Sequence, residues 1–578
     1  VADAVKTTYD HIIINDSLKC SSTFASGKLL ANECHFDLLG FNPFDYLNGN
    51  EETVQGFMYK NYSPGGSERM YFSASNAGRI DYFRQQIEEW RNNNQLTDHE
   101  YIYLIACLLE SVSDVSNTAG VYGAYLKHWD SRALKPIIFS RIDALAGQCQ
   151  HVDIFNNKIE DIIADVNCDI LYLDPPYTQN QYGTQYHLLE TLVLDDNPTI
   201  SKVTGSRPTG PMRSDWSKKY HVHILFDKII AETRARHIVL SYNNDGFMSK
   251  DFIESTLKRY GFENTYTCLS IDYKKYNNTK CQGKEGHVEY LFYIEKKPTE
   301  SIVVESPLNY TGSKSKMIDI IKQHLPAQPF NTLIDVFGGG FNVGINIPSN
   351  ETIYNDINPF VTGLIESFRT DVYSYLMYVS RLIKKYSLAP DNKEGYLALR
   401  EKYNETPIEK RDPRMLYTLI LYGFQQQIRF NTNHGFNNPA GSRWFNEFLL
   451  SKFISFARCS SNKNVVYTNV SFEQLIDRVT PETFVYADPP YRSTLGVYND
   501  GKRGFEGWTI RHEHNLCEFF DKIHERGSHF MLSYVLRVDD FYNQEVAGWA
   551  EEHNYRVIDI DVPQGRYNNR REVLITNY

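Results

Sequence analysis

The stretch TLIDVFGGGFNVGIN, residues 332–346, sets the architecture of this chain. An apolar run ends at Val336, and Gly338, Gly339 and Gly340 follow Phe337. Glycines at a strand-to-helix turn let a ligand lie against the backbone at the mouth of a doubly wound sheet. Next, ETIYNDINPF (351–360) reads as a second short strand ending at Asp356. An acid there accepts hydrogen bonds from ribose hydroxyls. Downstream, YADPPYRS (486–493) follows the apolar run Phe484–Ala487. Two adjacent prolines cannot continue a sheet, because neither offers an N–H and both fix φ. Asp488 therefore sits where a strand gives way to a stiff turn.

The same tetrapeptide occurs earlier, in YLDPPYTQ (172–179), after the apolar run Ile170–Leu173. A given tetrapeptide arises roughly once in 10^5 positions at ordinary residue usage. Two copies in equivalent contexts call for a chemical reason or a duplication. Other matched pairs agree: IFNNKIEDII (154–163) with VYTNVSFEQLI (466–476), HIVLSYNN (237–244) with HFMLSYVL (529–536), and EYLFYIEKK (289–297) with EVLITNY (572–578). HIIINDSLKC (11–20) matches TIYNDINPF, which puts Asp16 in the place of Asp356. Its own glycine turn would lie upstream of Val1, and VADAVKTTYD reads as the helix after that turn. Strands alternating with helical patterns predict an α/β fold with a parallel sheet in each half. The expected organisation is two Rossmann-like domains in tandem, 1–297 and 307–578, joined by a linker over 298–306. Each carries a helical insert between its acid and its Asp-Pro-Pro-Tyr, about 18–150 and 361–462, and the two inserts share little beyond placement.

The bulk numbers fit two soluble domains. The chain has 578 residues, 42% hydrophobic and 23% charged, which exceeds one core and is ordinary for a globular protein. No apolar run approaches the length of a membrane span, and no signal peptide is visible. Nine cysteines without a CxxC pair suggest neither a zinc site nor a disulfide framework, so the expected setting is reducing and intracellular, with no metal. A net charge of −11 puts any contact with a polyanion on local basic patches.

The repeated constellation suits methyl transfer to an exocyclic amine of a nucleobase. That nitrogen's lone pair is delocalised, so acceptors for both N–H groups make it a better nucleophile. Asp488 supplies one carboxylate acceptor and the Pro489 carbonyl a second, its direction fixed by the Pro489–Pro490 turn. Tyr491 offers a flat face for stacking. The base must leave the duplex to reach such a pocket. A donor beside it, over the glycines, needs positioning rather than a metal. Asp174, Pro175, Pro176 and Tyr177 fall in the same roles in the first half.

The second half resembles the adenine-specific DNA methyltransferases of the Dam-like, alpha-ordered class over nearly its whole length. PLNYTGSKSKMIDII (307–321) is similar to that family's opening motif. The resemblance implies that Lys314 contacts the carboxylate of S-adenosylmethionine with Tyr310 nearby. It implies donor roles for Asp335, Phe337, Gly338 and Gly340 in DVFGGG, with Gly339 at a variable position, and for Asp356. IRFNTNHGFNNPAG (428–441) resembles the family's DNA-recognition segment, and the first half resembles the class more loosely. Asn469 and Asn156 stand where many relatives have an acid. Two such units in one chain resemble the fused, FokI-type adenine methyltransferases of type IIS restriction–modification systems. This implies S-adenosylmethionine as donor, double-stranded DNA with a flipped adenine as substrate, a cognate restriction endonuclease as system partner, and a monomer in the bacterial cytoplasm.

Candidate DNA contacts are Lys202, Arg207 and Arg213 in a loop that also holds Lys218 and Lys219, and a C-terminal cluster of Arg566, Arg570 and Arg571. Arg429, Asn433 and Arg443 are candidates for base edges, with Asn117 and Lys127 as first-half equivalents. Two alternatives stay open: an RNA adenine or cytosine-N4 methyltransferase, and one active half joined to a half that only grips DNA.

Overall fold

The computed structural model describes residues 1–272, 288–310, 312–492, 508–560 and 569–578. In the first half, β1 (His11–Asn15) pairs in parallel with β2 (His151–Phe155) as a separate two-stranded sheet. A second sheet has β3 (Ile170–Leu173) parallel to β4 (His237–Asn243), with β6 (Val288–Glu295) antiparallel between β4 and the edge strand β5 (Thr267–Asp272).

The second half builds one sheet from β7 (Thr332–Asp335), β8 (Glu351–Asn355), β9 (Val465–Thr468), β10 (Thr483–Ala487), β11 (His529–Val538), β12 (Phe541–Tyr542), β13 (Arg556–Ile560) and β14 (Arg570–Thr576). Its order is β13-β14-β11-β10-β7-β8-β9, with β12 paired to β11. Strands β9, β8, β7, β10 and β11 run parallel, and β14 is inserted antiparallel between β11 and β13. Strand order reverses between β7 and β10, which opens a crevice at their carboxyl ends, where ligands of open α/β sheets bind.

Strands β1 to β4 match β8 to β11 in order, and β6 matches β14. Among the described residues, the first half has no counterpart of β7, which stands between β8 and β10 in the second. The expected single parallel sheet therefore holds for the second half, whereas the first half divides between β1 and β3. The division alters packing. Tyr172 on β3 is 37% exposed, while Tyr486, its partner in the repeat, is 1% exposed.

Both inserts are helical, as expected. The helix Asp98–Asp114 starts at a reciprocal capping box, in which Thr97 and Glu100 each accept the other's backbone N–H. It buries Tyr103, Leu104, Leu108 and Leu109 in the first half's insert core. In the second insert the helices Pro413–Tyr422 and Glu447–Asn462 bury Tyr417, Phe453 and Phe456.

The two halves also pack on each other, which the sequence does not announce. The helices His221–Glu232 and Lys250–Tyr260 of the first half lie against Glu447–Asn462 of the second. One apolar cluster runs from Ile238 and Phe252 through to Phe453 and Tyr354. Within it, buried Asp227 and Tyr260 and half-buried Arg458 form a polar triad across the boundary.

Candidate active site

The glycine turn after β7 is shaped by contacts on every side. Gly339 has φ +47°, a left-handed conformation that disfavours side chains, and a Cβ there would meet the Tyr310 ring at 2.7 Å. In this chain the backbone geometry at Gly339 therefore favours glycine. Its N–H donates to Asp356 Oδ2 at 3.0 Å, and its carbonyl accepts from the Tyr354 hydroxyl at 2.8 Å. Asp356 Oδ1 accepts from Asn358 N at 2.8 Å. The acid after β8 therefore holds the glycine turn as well as facing the cavity, and a carboxylate keeps lone pairs for a ligand's hydroxyls. Asp335, 2% exposed, accepts from Gly344 N at 3.0 Å. Burial pushes its carboxyl up to about 7, with the Gly344 amide pulling the other way.

These residues line a cavity of about 550 Å³. Tyr310, Lys314 and Gly338 to Gly340 form one wall, and Phe337, Phe472 and Trp508 supply apolar surface. Asp488 and Pro490 line it from the end of β10. Such a cleft, with aromatic surface beside convergent polar groups, suits a nucleoside-bearing donor. Among the described residues, no group of three His, Cys, Asp or Glu side chains is placed to hold a metal ion.

Asp488 is tightly engaged. Its Oδ1 accepts from the Tyr491 hydroxyl, and its Oδ2 lies 2.8 Å from Lys314 Nζ. Lys314 also donates to the Tyr491 hydroxyl at 2.8 Å. Burial raises the Asp488 carboxyl above the ordinary range, opposed by Lys314 and Tyr491. Tyr491 is 5% exposed and packs edge-on against Tyr534, with centroids 5.3 Å apart at 78°. The ring expected to offer a stacking face is thus buried in this structure, and the Tyr491 hydroxyl holds Asp488 Oδ1.

The first half repeats this cluster. Tyr177 donates to Asp174 Oδ1 at 2.6 Å, and its ring meets Tyr242 edge-on at 5.2 Å and 78°. Tyr242 and Tyr534 are the tyrosines of the repeated Ser-Tyr strands, so that sequence pair marks the support of the Asp-Pro-Pro-Tyr ring. The turn at Asp16 matches too: its Oδ1 accepts from Leu18 N at 2.7 Å, and burial pushes its carboxyl up to about 6. Asn156 donates to the Asp16 carbonyl at 2.8 Å, and Asn469 to the Asp356 carbonyl at 2.9 Å. A carboxylate cannot donate, so the amide at these two positions has its own function, which is to close the acid's turn.

The candidate DNA contacts divide. Arg429, Asn433, Arg443, Lys127, Lys202 and Arg213 are exposed. Asn309 donates to the Gln425 carbonyl at 2.7 Å, which ties the recognition insert to the cavity wall next to Tyr310. Two candidates are corrected. Asn117 is fully buried and saturated, donating to the Met70 and Leu126 carbonyls and accepting from Asp130 N. Arg207 is committed to Asp196 at 2.6 and 3.1 Å, with its side chain only 11% exposed. In the C-terminal cluster, Arg570 pairs with Glu572 and Arg571 with Asp559, and Arg566 lies outside the described residues. The sequence reading also missed Glu289 and Glu572. Both quoted strand repeats open on these glutamates, which was the available signal.

A doubly wound sheet with a glycine turn on its first strand, an acid after its second and a buried Asp-Pro-Pro-Tyr after its fourth defines a group-transfer enzyme for a nucleobase amine. The model of the D12 class N6 adenine-specific DNA methyltransferase family matches residues 1–251 and again 310–559, and the chain belongs to that family, with the domain present twice. It is similar along its whole length to type II methyltransferase M.FokI of Planomicrobium okeanokoites, 36% identical over 612 residues that cover 100% of this chain and 93% of that protein. Modification methylase LlaI of Lactococcus lactis subsp. lactis is 34% identical, again over 100% of this chain and 93% of its own length. Modification methylase StsI of Streptococcus sanguinis is 33% identical over 93% of this chain and 86% of its own.

The donor assignment gives a direct expectation. Asp356→Ala removes the acceptor for both Gly339 N and Asn358 N. It should weaken S-adenosylmethionine binding by about 1.5–3 kcal/mol, the range for hydrogen bonds to a charged group. Isothermal calorimetry on the whole chain checks this, and unchanged affinity would reject the donor role.

Proposed function

We propose that this adenine methyltransferase is two-headed, with one half serving each strand of an asymmetric DNA site, and that it protects host DNA as the modification enzyme of a type IIS restriction–modification system. S-adenosylmethionine is the methyl donor. Lys314, Tyr310, Phe337, Gly338, Gly340 and Asp356 hold it in the second half, and Asp335 fixes the helix behind the glycine turn. The target adenine is flipped from the duplex. Asp488 then accepts a hydrogen bond from the amine, which keeps the nitrogen lone pair available for the methyl group that the donor supplies. The Pro489–Pro490 turn fixes the direction of the backbone beside it, and Tyr491 orients the carboxylate. Asp174, Pro175, Pro176 and Tyr177 are the same parts in the first half. Exposed Arg429, Asn433 and Arg443 read bases, with Lys127 as their first-half equivalent, while Lys202 and Arg213 meet phosphates. The enzyme acts as a monomer on DNA in the bacterial cytoplasm, and its cognate endonuclease is a system partner only.

One observation carries this reading: the Asp–Tyr–Tyr cluster is built twice with the same geometry, under two dissimilar inserts. An asymmetric site presents different sequences on its strands, so two heads with different readers suit it. A second reading has one active half and one half that only grips DNA. It is favoured by the different settings of the two carboxylates: Asp174 is exposed, whereas Asp488 is half-buried against Lys314.

The test uses a duplex bearing the site found by sequencing methylated DNA from an expressing host. Labelled donor is added and the strands are separated. Two heads put N6-methyladenine on both strands. Label on one strand supports the second reading, and label on cytosine or only on RNA overturns both.

A further inference from the structure

Each half places a glutamate at the same register beside its Asp-Pro-Pro-Tyr. Glu572 faces Val535 across β14 and β11, and Glu289 faces Asn243 across β6 and β4. The residues opposite the repeated serines agree, with Leu574 facing Ser533 and Leu291 facing Ser241. The two glutamates are therefore copies of one position.

Their surroundings give that position a task. Glu572 is 3% exposed, and its Oε2 accepts from Arg570 at 2.9 Å. Its Oε1 is buried, has no hydrogen-bond partner among the described residues and lies 3.4 Å from Lys314 Nζ. Lys314 meanwhile sits on Asp488 Oδ2 at 2.8 Å, and Tyr491 occupies Oδ1. An amine arriving at Asp488 thus competes with an ammonium already seated there. A buried ammonium leaves a carboxylate readily only if another charge receives it. The first half shows the same relation with a different donor. The Tyr177 hydroxyl is 2.6 Å from Asp174 Oδ1 and 3.0 Å from Glu289 Oε1, one proton between two carboxylates.

We propose that Glu572 and Glu289 are positioning residues. Each is a second acceptor that takes the donor held by the Asp-Pro-Pro-Tyr carboxylate, Lys314 in one half and Tyr177 in the other, so that the carboxylate is free for the adenine amine. No bond is made or broken at the glutamate, and only hydrogen bonds change partners. The inference rests on the assignment of Asp488 as the amine acceptor.

The test compares Glu572→Gln and Glu572→Asp with the unaltered full chain, using labelled S-adenosylmethionine and unmethylated DNA carrying the site. Glu572→Gln should lower kcat about tenfold or more for the strand served by the second half. Its donor dissociation constant should stay within about threefold, because Gly338, Gly340 and Asp356 are untouched and Lys314 keeps its charge and its place beside the cavity. The groups facing Asp488 are Lys314, Tyr491 and Glu572, with Asp335 and Tyr486 nearby. Removing the negative charge of Glu572 should therefore move the acid limb of kcat to lower pH. Glu572→Asp keeps the charge and should restore most of the rate. An unchanged kcat and acid limb would overturn the proposal, as would a loss confined to donor binding or to thermal unfolding. Asp488→Ala, run alongside, separates the two claims. If it stays active, the active-site assignment fails; if it is dead while Glu572→Gln is fully active, only the present inference fails.

Discussion

Asp488→Ala should cut methylation of one strand by about 100-fold or more, the loss seen when one preorganised partner of a developing charge is removed. The other strand should keep its rate. The effect belongs to kcat, because the acceptor matters most as the amine becomes tetrahedral. Donor affinity should hold or rise. In the unaltered protein Lys314 is divided among Asp488, Tyr491 and the nearby Glu572, and removing Asp488 frees that ammonium for a donor carboxylate. A misfolded variant would lose donor binding as well, so calorimetry and strand-resolved labelling together distinguish the cases. The pH dependence follows from the same cluster. Burial raises the Asp488 carboxyl, and the ionised form is the stronger acceptor for the amine N–H. The second half's rate should fall as pH drops through that raised value, and this limb should vanish from the residual activity of Asp488→Ala. Equal loss on both strands with donor binding intact would reject separate heads.

Much of this site was legible in the sequence because its determinants are local. A glycine run after an apolar strand, an acid after the next, and two prolines after a third each impose their geometry within a few residues. The repeated Ser-Tyr strands were legible as a repeat, though not as support for Tyr177 and Tyr491, because edge-on ring packing links residues far apart in sequence. Tyr491 was misjudged for a related reason. A tyrosine after Asp-Pro-Pro reads as a stacking platform until its burial beside Tyr534, a residue far off in sequence, is located. Asn117 and Arg207 show the limit for charged and amide side chains. Composition makes them candidates for DNA, while only the fold shows that Asn117 closes three backbone contacts and that Asp196 claims Arg207. The division of the first half's strands into two sheets was not foreseen, since the strand pattern reads as one parallel sheet in each half. The packing of one half on the other was not foreseen at all, since its apolar residues read as ordinary helix cores.

That packing carries the second large effect. Arg458→Ala should destabilise the protein by about 3–5 kcal/mol, the cost of leaving one member of a buried ion pair alone. Asp227 is fully buried on the helix His221–Glu232, and its Oδ2 accepts from Arg458 Nε at 2.8 Å. Its Oδ1 accepts from the Tyr260 hydroxyl at 2.8 Å, and Arg458 Nη2 reaches that same hydroxyl at 2.9 Å. Arg458 comes from the second half, Asp227 and Tyr260 from the first. Without Arg458, the Asp227 carboxylate keeps one neutral donor and no cation. Denaturant unfolding should show the loss as a lower midpoint. Because the triad spans the boundary, the unfolding of both halves should shift, or one transition should split into two. The double variant Arg458→Met with Asp227→Leu should recover most of the loss, because an apolar pair removes the desolvation cost on both sides. A shift confined to the second half would show that the interface adds little to either core. Strand-resolved labelling of the double variant then asks a separate question. If both strands retain their rates while the halves unfold apart, the interface holds the two heads together without taking part in their chemistry.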